Sequence, residues 1–461
     1  MSSHNPVPFD FVPFGAQAPE VRKLEDWENE GELLSGRIDY TITPLTPVHI
    51  VGKQVSKGNQ DNIQITKSYF SRSGSSPAIP GSSVKGMLRA FFEALTNSWV
   101  GQASKEYPAT NKERHIGFFA YGSIPDADIT GTPAIPERLH PQIKDGRIDL
   151  ASFLFGMVPE GNGDDNAFRS RLIFEDIPVA SRMLDDNILQ LPDVRGTAFM
   201  GGPKPRKNNW WYFKPHSIRK RSVMTPGGRK TVADFIGAEF WGRKFYYHQN
   251  PAKVLRWYDN EKNWPHTAKK RGQWTKNYYT YPVEAISEGV SLNGSIYFER
   301  IPEPLLELIV FTLQPGNDIK HKLGYGKAFG LGSIDINLKS VTANPASGFM
   351  ADLPSISIKP DSVNPLSYVQ ENSLIWLRLI LKYDALIFEP NCVFTYPRFD
   401  KDFRKVVDWN KHFSKAEDTF KVTIQSAEKM AVSLFKEKST IHFRLYQETS
   451  EIWDKILKRV S

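Results

Sequence analysis

The chain has 461 residues, 40% hydrophobic, 12% aromatic and 24% charged, which excludes wholesale disorder and leaves room for two or three domains around a sizeable core. A single cysteine, Cys392, excludes an internal disulfide framework and a Cys-rich zinc site, and no apolar run approaches bilayer-crossing length, so a soluble cytoplasmic protein is expected. The net charge of +8 is uneven: residues 195–281 carry 19 Lys and Arg against 4 Asp and Glu, while the remainder holds 40 against 47, a concentration that points to a polyanionic partner.

Residues 1–35, rich in Pro and acids and without a basic-then-apolar leader, read as a flexible or docking arm. In Arg37-Ile38-Asp39-Tyr40-Thr41-Ile42-Thr43 apolar and polar residues alternate, the pattern of a strand buried on one face. A Gly/Ser/Asn-rich stretch follows over 44–82. Val84, Met87, Leu88, Phe91 and Leu95 then recur at helical spacing, with Ser82 or Ser83 placed to cap the helix. Arg171-Leu172-Ile173-Phe174-Glu175 reads as a second strand and Gly294-Ser295-Ile296-Tyr297-Phe298-Glu299 as a third. Pro304 opens a helix carrying Leu305, Leu306, Ile309 and Leu313, and Ser333-Ile334-Asp335-Ile336-Asn337-Leu338 is a fourth strand.

The order strand, helix, strand, strand, helix, strand is that of an α+β, ferredoxin-like (RRM-like) antiparallel core over 36–345. A large basic insertion at 195–281 interrupts it, and a C-terminal extension at 355–461 follows as a second small α+β module or a docking element. In this arrangement the connections 44–82, between strands two and three, and 314–332 leave from the same edge of the sheet. That edge is expected to gather the chemistry.

Three features occupy it. Lys320-His321-Lys322-Leu323-Gly324-Tyr325-Gly326-Lys327-Ala328-Phe329-Gly330-Leu331-Gly332 has glycines that permit positive φ and close backbone approach, N–H groups that can converge on phosphate, and lysines of matching sign. It is not a Walker A loop, because Ala328 follows Lys327, and a purely structural turn is the alternative reading. Ile79-Pro80-Gly81-Ser82-Ser83-Val84-Lys85-Gly86-Met87-Leu88-Arg89 places Ser82 and Ser83 at a helix start, with Lys85 and Arg89 on one face; here the alternative is an ordinary capped helix with a solvated basic side. The insertion interleaves cations with six tryptophans, a composition suited to single-stranded RNA or to the small core of a subdomain. Within it Arg219, Lys220 and Arg221, with Arg229 and Lys230, cluster as phosphate contacts.

Together with Thr43-Pro44-Leu45-Thr46-Pro47-Val48-His49-Ile50, Leu154-Phe155-Gly156 and Arg171-Leu172-Ile173-Phe174-Glu175-Asp176, the helix-start turn and the glycine loop resemble the RAMP superfamily of CRISPR-associated proteins over residues 36–340. The central segment with Gly242-Arg243-Lys244-Phe245-Tyr246-Tyr247-His248 is most similar to backbone subunits of type III effectors, in particular the III-D branch. The resemblance implies partners (a CRISPR guide RNA, a target RNA and other effector subunits) and no membrane. It implies contacts to RNA from His49, Lys53, Lys57, Ser82, Ser83, Lys85, Arg89, Lys320, Lys322, Gly324, Gly326, Lys327, Gly330 and Gly332. It also implies target cleavage by an Asp in the loop after strand one, and the single acid between Asp39 and Glu93 is Asp61. There a ribose 2′-hydroxyl would attack the adjacent phosphate to give a cyclic phosphate, with a transient divalent ion, magnesium by preference, held by Asp61 and Lys53 or Lys57 offsetting charge. A lone Asp in such a loop is otherwise a solvated turn residue, and His49 at an apolar strand end is otherwise a packed one. A non-catalytic scaffold or capping subunit and a guide-RNA-processing endonuclease are the alternative functions.

Overall fold

The structure is a computed structural model and describes residues 8–58, 64–100, 136–157, 167–185, 189–192, 219–225, 228–234, 242–258, 280–316, 318–345 and 368–383. Strand β1 (Phe9–Pro13) opens the chain and helix α1 (Leu24–Glu28) follows. β2 (Leu33–Pro44) is the first long strand, and its alternation resolves as expected, with Ile38, Tyr40 and Ile42 buried and Arg37 and Asp39 on the opposite face. β3 (Val51–Lys57) and β4 (Gln64–Phe70) form an antiparallel hairpin. Helix α2 (Gly81–Leu95) buries Val84, Leu88, Phe91, Phe92 and Leu95, the stripe its sequence spells, each contributing about 2 kcal/mol of apolar burial. β5 (Leu172–Phe174), the basic ribbon of β6 (Arg219–Thr225) and β7 (Gly228–Asp234), and β8 (Gly242–Tyr246) come next. β9 (Leu292–Pro302), α3 (Glu303–Leu313), the short β10 (His321–Lys322), β11 (Ser333–Pro345) and α4 (Glu371–Leu381) complete the frame.

The central sheet has the order β10-β11-β2-β9-β5, and every pair in it is antiparallel. In terms of the four expected strands this is four, one, three, two, an order and sense consistent with the ferredoxin-like expectation. Register fixes one end: Pro44 closes β2 opposite Ile334, and Leu292 opens β9 opposite Ile42. The ends of β2 and β5 and the starts of β9 and β11 therefore form a single rim, as the connection geometry requires. Among the described residues no helix is long and apolar enough to cross a membrane.

Two flanks are built more tightly into the core than their composition suggests. The N-terminal arm pairs β1 with β8 in register, Phe9 against Tyr246, and buries Phe9, Val12 and Trp27 completely, Trp27 donating its indole N–H to Ile148 O at 2.9 Å. Its strand is a structural element, covering an edge of β8 that would otherwise be unpaired. The C-terminal side likewise contributes α4, whose Leu377, Ile380 and Leu381 are buried and which packs on α2, β1 and β8. Its start is tied to the end of α2 by Gln370 N–H donating to Leu95 O at 2.8 Å.

Candidate nucleic-acid interface

The glycine-rich loop sits at the start of β11 and lies against the stretch after β2. Gly324, Gly330 and Gly332 all have positive φ (85°, 90° and 78°), and a Cβ at these positions would stand 2.4, 2.5 and 2.0 Å from His49 O, Gln249 O and Leu323 O. Only glycine lets these backbones approach so closely. Gly326, at φ 74°, turns the chain into a 3-10 turn over Lys327–Phe329. Much of the loop's hydrogen bonding is internal. Leu323 N–H donates to Gly332 O at 2.7 Å, Tyr325 N–H to His49 O at 2.7 Å, Gly330 N–H to Lys327 O at 3.1 Å, and Gly332 N–H to Pro47 O at 2.9 Å. The expectation of a phosphate nest is thus corrected for these N–H groups: their acceptors are carbonyls of the chain itself.

A satellite core fastens three sequence-distant pieces to this rim. Leu189, Leu191, Val254, Tyr258, Tyr281, Val283 and Ala285, from between β5 and β9, pack with Ile65 of the hairpin and with Phe329 and Leu331 of the loop. Part of the aromatic content of the insertion is therefore structural, with Trp257 at the margin of this core. The hairpin root is clamped as well. Glu284 accepts from Phe70 N–H at 2.9 Å and from Arg72 at 3.1 and 3.4 Å. From there β3 projects with every residue exposed, Lys53 and Lys57 included.

The basic residues divide by whether the chain supplies them with acceptors. Lys322 is only 6% exposed, and its ammonium donates to Leu331 O at 2.9 Å, Ser333 Oγ at 3.1 Å and Gly330 O at 3.3 Å; burial pushes its pKa well below the ordinary lysine value. Lys320 is ion-paired with Asp335 at 2.5 Å. Arg89 is held by Glu93 at 2.7 Å and Gly156 O at 2.8 Å, and Glu93 is shared with the buried Arg243 at 3.1 Å. His49 has no exposure: Nδ1–H donates to Glu284 O at 2.6 Å, Nε2 accepts from Ser68 Oγ at 2.9 Å, and burial pushes its pKa down to about 4. Lys322 and His49, expected at RNA, are instead interior struts of the rim, and Lys320 and Arg89 already have partners. The physical reason is the same in each case: the acceptors arrive from segments remote in sequence.

Lys85 and Lys327 are the contrast. Both are half-buried, and neither ammonium has a hydrogen-bond or ion-pair partner among the described residues. Burial lowers the pKa of each, followed by Arg89 in the case of Lys85. A partly dehydrated cation without an acceptor favours a bound anion. The helix start with Lys85 adjoins β5 and the loop with Lys327 adjoins β11, strands that lie three spacings, or about 14 Å, apart in the sheet. Ser82 is exposed beside Lys85 and Ser83 half-buried, yet neither caps α2: the N-cap is Pro80, and the first N–H, of Gly81, donates to Asp176 Oδ1 at 2.9 Å. The helix start already carries a carboxylate of its own, so Lys85 is the group there that seeks an anion.

Asp61 lies in 59–63, outside the described residues, as does most of the basic insertion. Arg219, Lys220 and Arg221 fall on β6, in register with Asp234, Ala233 and Val232 of β7, and Arg229 is exposed near the other end of that ribbon. Among the described residues no group of three or more His, Cys, Asp or Glu is arranged to hold a metal, so the expected divalent ion has no ready-made centre in them. Sequence reasoning missed Glu284, Asp176, Arg243 and His248, the last fully enclosed with Nδ1 at 2.8 Å from Ser333 Oγ. Asp176, Arg243 and His248 stand within the motifs quoted above, but their roles are not legible there, because each acts on a partner far away along the chain.

Fold and rim define an α+β protein in which an antiparallel sheet carries a glycine-shaped, cation-bearing edge. The family model of the RAMP superfamily matches residues 41–335, from within β2 to the start of β11, and the chain belongs to that superfamily. Membership points to a CRISPR-associated RNA-binding subunit. No curated protein matches the chain.

Proposed function

We propose that the chain is a backbone subunit of a type III RNA-guided effector, of the III-D kind, that grips guide RNA against target RNA beside other subunits on a ferredoxin-like core. The observation that carries this reading is the pair of half-buried lysines without acceptors, Lys85 and Lys327, at the two ends of one rim. Sequence would then be read by pairing between the strands, while the protein holds backbones by charge. The exposed hairpin bearing Lys53 and Lys57 would extend the cationic track beyond the rim.

In this reading Asp61 is the cleaving carboxylate and Lys53 or Lys57 offsets the charge developing on the phosphate. A divalent ion held there would supply charge stabilisation. Replacing Asp61 with Ala in the assembled complex is expected to remove one cut from a regular ladder of target fragments. An unchanged ladder leaves a non-catalytic scaffold subunit. Cleavage of precursor repeat RNA by the isolated chain would mark a guide-processing enzyme instead, a role that the enclosed, neutral His49 is poorly placed to serve.

A further inference from the structure

The hairpin of β3 and β4 has two sides, and the interior of the protein uses one of them. On the inner side Phe70 is buried in the main core, and the enclosed Ser68 donates its hydroxyl to His49 Nε2 at 2.9 Å. The outer side follows from register. Val51 stands opposite Phe70 and Gln54 opposite Ser68, so Gly52 and Lys53 together face Tyr69, a bulge of two residues against one. Val55 stands opposite Lys67, two residues before Tyr69 on β4. Cross-strand partners share a face, so Lys53, Val55, Lys67 and Tyr69 come together on the side away from Ser68 and Phe70.

Tyr69 is the unusual member of this group. Its ring is half-buried, yet it packs into neither the main core nor the satellite core. What surrounds it is charge: Lys67 Nζ lies 4.8 Å and the Arg72 guanidinium 6.0 Å from the ring centroid. Glu284 fixes Arg72 there through an ion pair at 3.1 Å. Lys53 and Lys57 are exposed, as is Val55. Residues 51–57 and 64–72 together hold four Lys and Arg and no Asp or Glu. Cations gathered about one ring repel one another, and an anion between them offsets that cost. An aromatic ring flanked by cations and left outside the core suits a base and its phosphates together. An acidic protein segment would meet the cations but bring no planar partner for the ring.

We infer that the outer side of this hairpin is a seat for one unpaired nucleotide of a bound RNA, its base on the Tyr69 ring and its flanking phosphates on Lys53 and Lys67. The inference rests on the RNA-binding reading above and adds a base contact where the rim supplies charge alone. Stacking needs an open base face and every base has one, so the seat takes single-stranded RNA without regard to its sequence.

The test titrates the full chain with a labelled oligouridine decamer and with an abasic strand of the same length and charge. Tyr69→Leu is expected to weaken binding of the decamer about tenfold, to leave the abasic strand unchanged and to keep the melting temperature. Tyr69→Phe, which retains the ring, is expected to bind both strands as the unaltered chain does. Lys53→Ala is expected to weaken both strands alike, as is Lys85→Ala on the rim. If Tyr69→Leu weakens both strands equally, or neither, the inference is overturned while the rim reading stands. If the unaltered chain binds neither strand, the RNA-binding reading itself fails and takes the inference with it. Displacement of the labelled decamer by a decaglutamate peptide as readily as by unlabelled decamer also overturns the inference, since it would mark an acidic protein segment as the occupant.

Discussion

The inner and outer walls of the rim present lysines from the same loop with opposite outcomes. On the inner wall Lys322 is surrounded by Leu331 O, Gly330 O and Ser333 Oγ, backed by His321 and His248, and all three of its donors have acceptors. On the outer wall Lys327 is also partly dehydrated, yet no described residue accepts from it, and Lys85 at the far end of the rim is in the same position. The difference teaches that a basic residue in a glycine loop is a ligand contact only where the fold withholds acceptors from it. Where the fold supplies them, the same side chain is a strut.

The strongest way to break this comparison is to deform the inner wall. Gly332→Ala sets a Cβ 2.0 Å from Leu323 O at positive φ, and a loss of about 3 kcal/mol or outright misfolding is expected in thermal or urea unfolding. Acid attacks the same wall through its buried imidazoles. His49 and His321 both have pKa values pushed down to about 4 by burial, so the unfolded chain takes up protons first as pH falls below about 6.5. Their contribution is whole above pH 6.5 and is lost as pH falls towards 4, roughly 3 kcal/mol for each imidazole, read as a falling unfolding midpoint across that window. The sharpest comparison pairs Lys322→Met with Lys327→Met. The first strands three acceptors and is expected to cost about 2 kcal/mol of stability. The second is expected to leave the melting temperature within a degree or two while lowering RNA affinity about fivefold and the slope of log K against log salt by about 0.7. Equal effects of the two changes on both readouts would dissolve the distinction between the walls.

The frame was largely legible. Alternation in Arg37–Thr43 and the apolar stripe from Val84 to Leu95 reappear as β2 and α2 because period alone decides which side of an element meets a core. The glycine loop was legible as a place of unusual backbone, and its residues were correctly joined to the stretch after β2. Its role was less so: Gly324 and Gly332 answer first to His49 O and Leu323 O. The N-terminal arm, rich in Pro and acids, reads in sequence as a flexible or docking segment, while the pairing of Phe9–Pro13 with Gly242–Tyr246 is invisible locally.

By itself the amino-acid sequence determined the order of the four strands and two helices of the central α+β frame, the glycines that a crowded turn demands and the concentration of positive charge, all properties of a residue and its near neighbours. Only the tertiary structure decided which cations remain without acceptors and which polar atoms are enclosed. The acceptors of His49, for instance, include a carbonyl 235 residues away, and Glu93 meets Arg243 across 150. Desolvation and hydrogen bonding act through space, so their outcome is set by the packing of distant segments and not by the order of residues along any one of them.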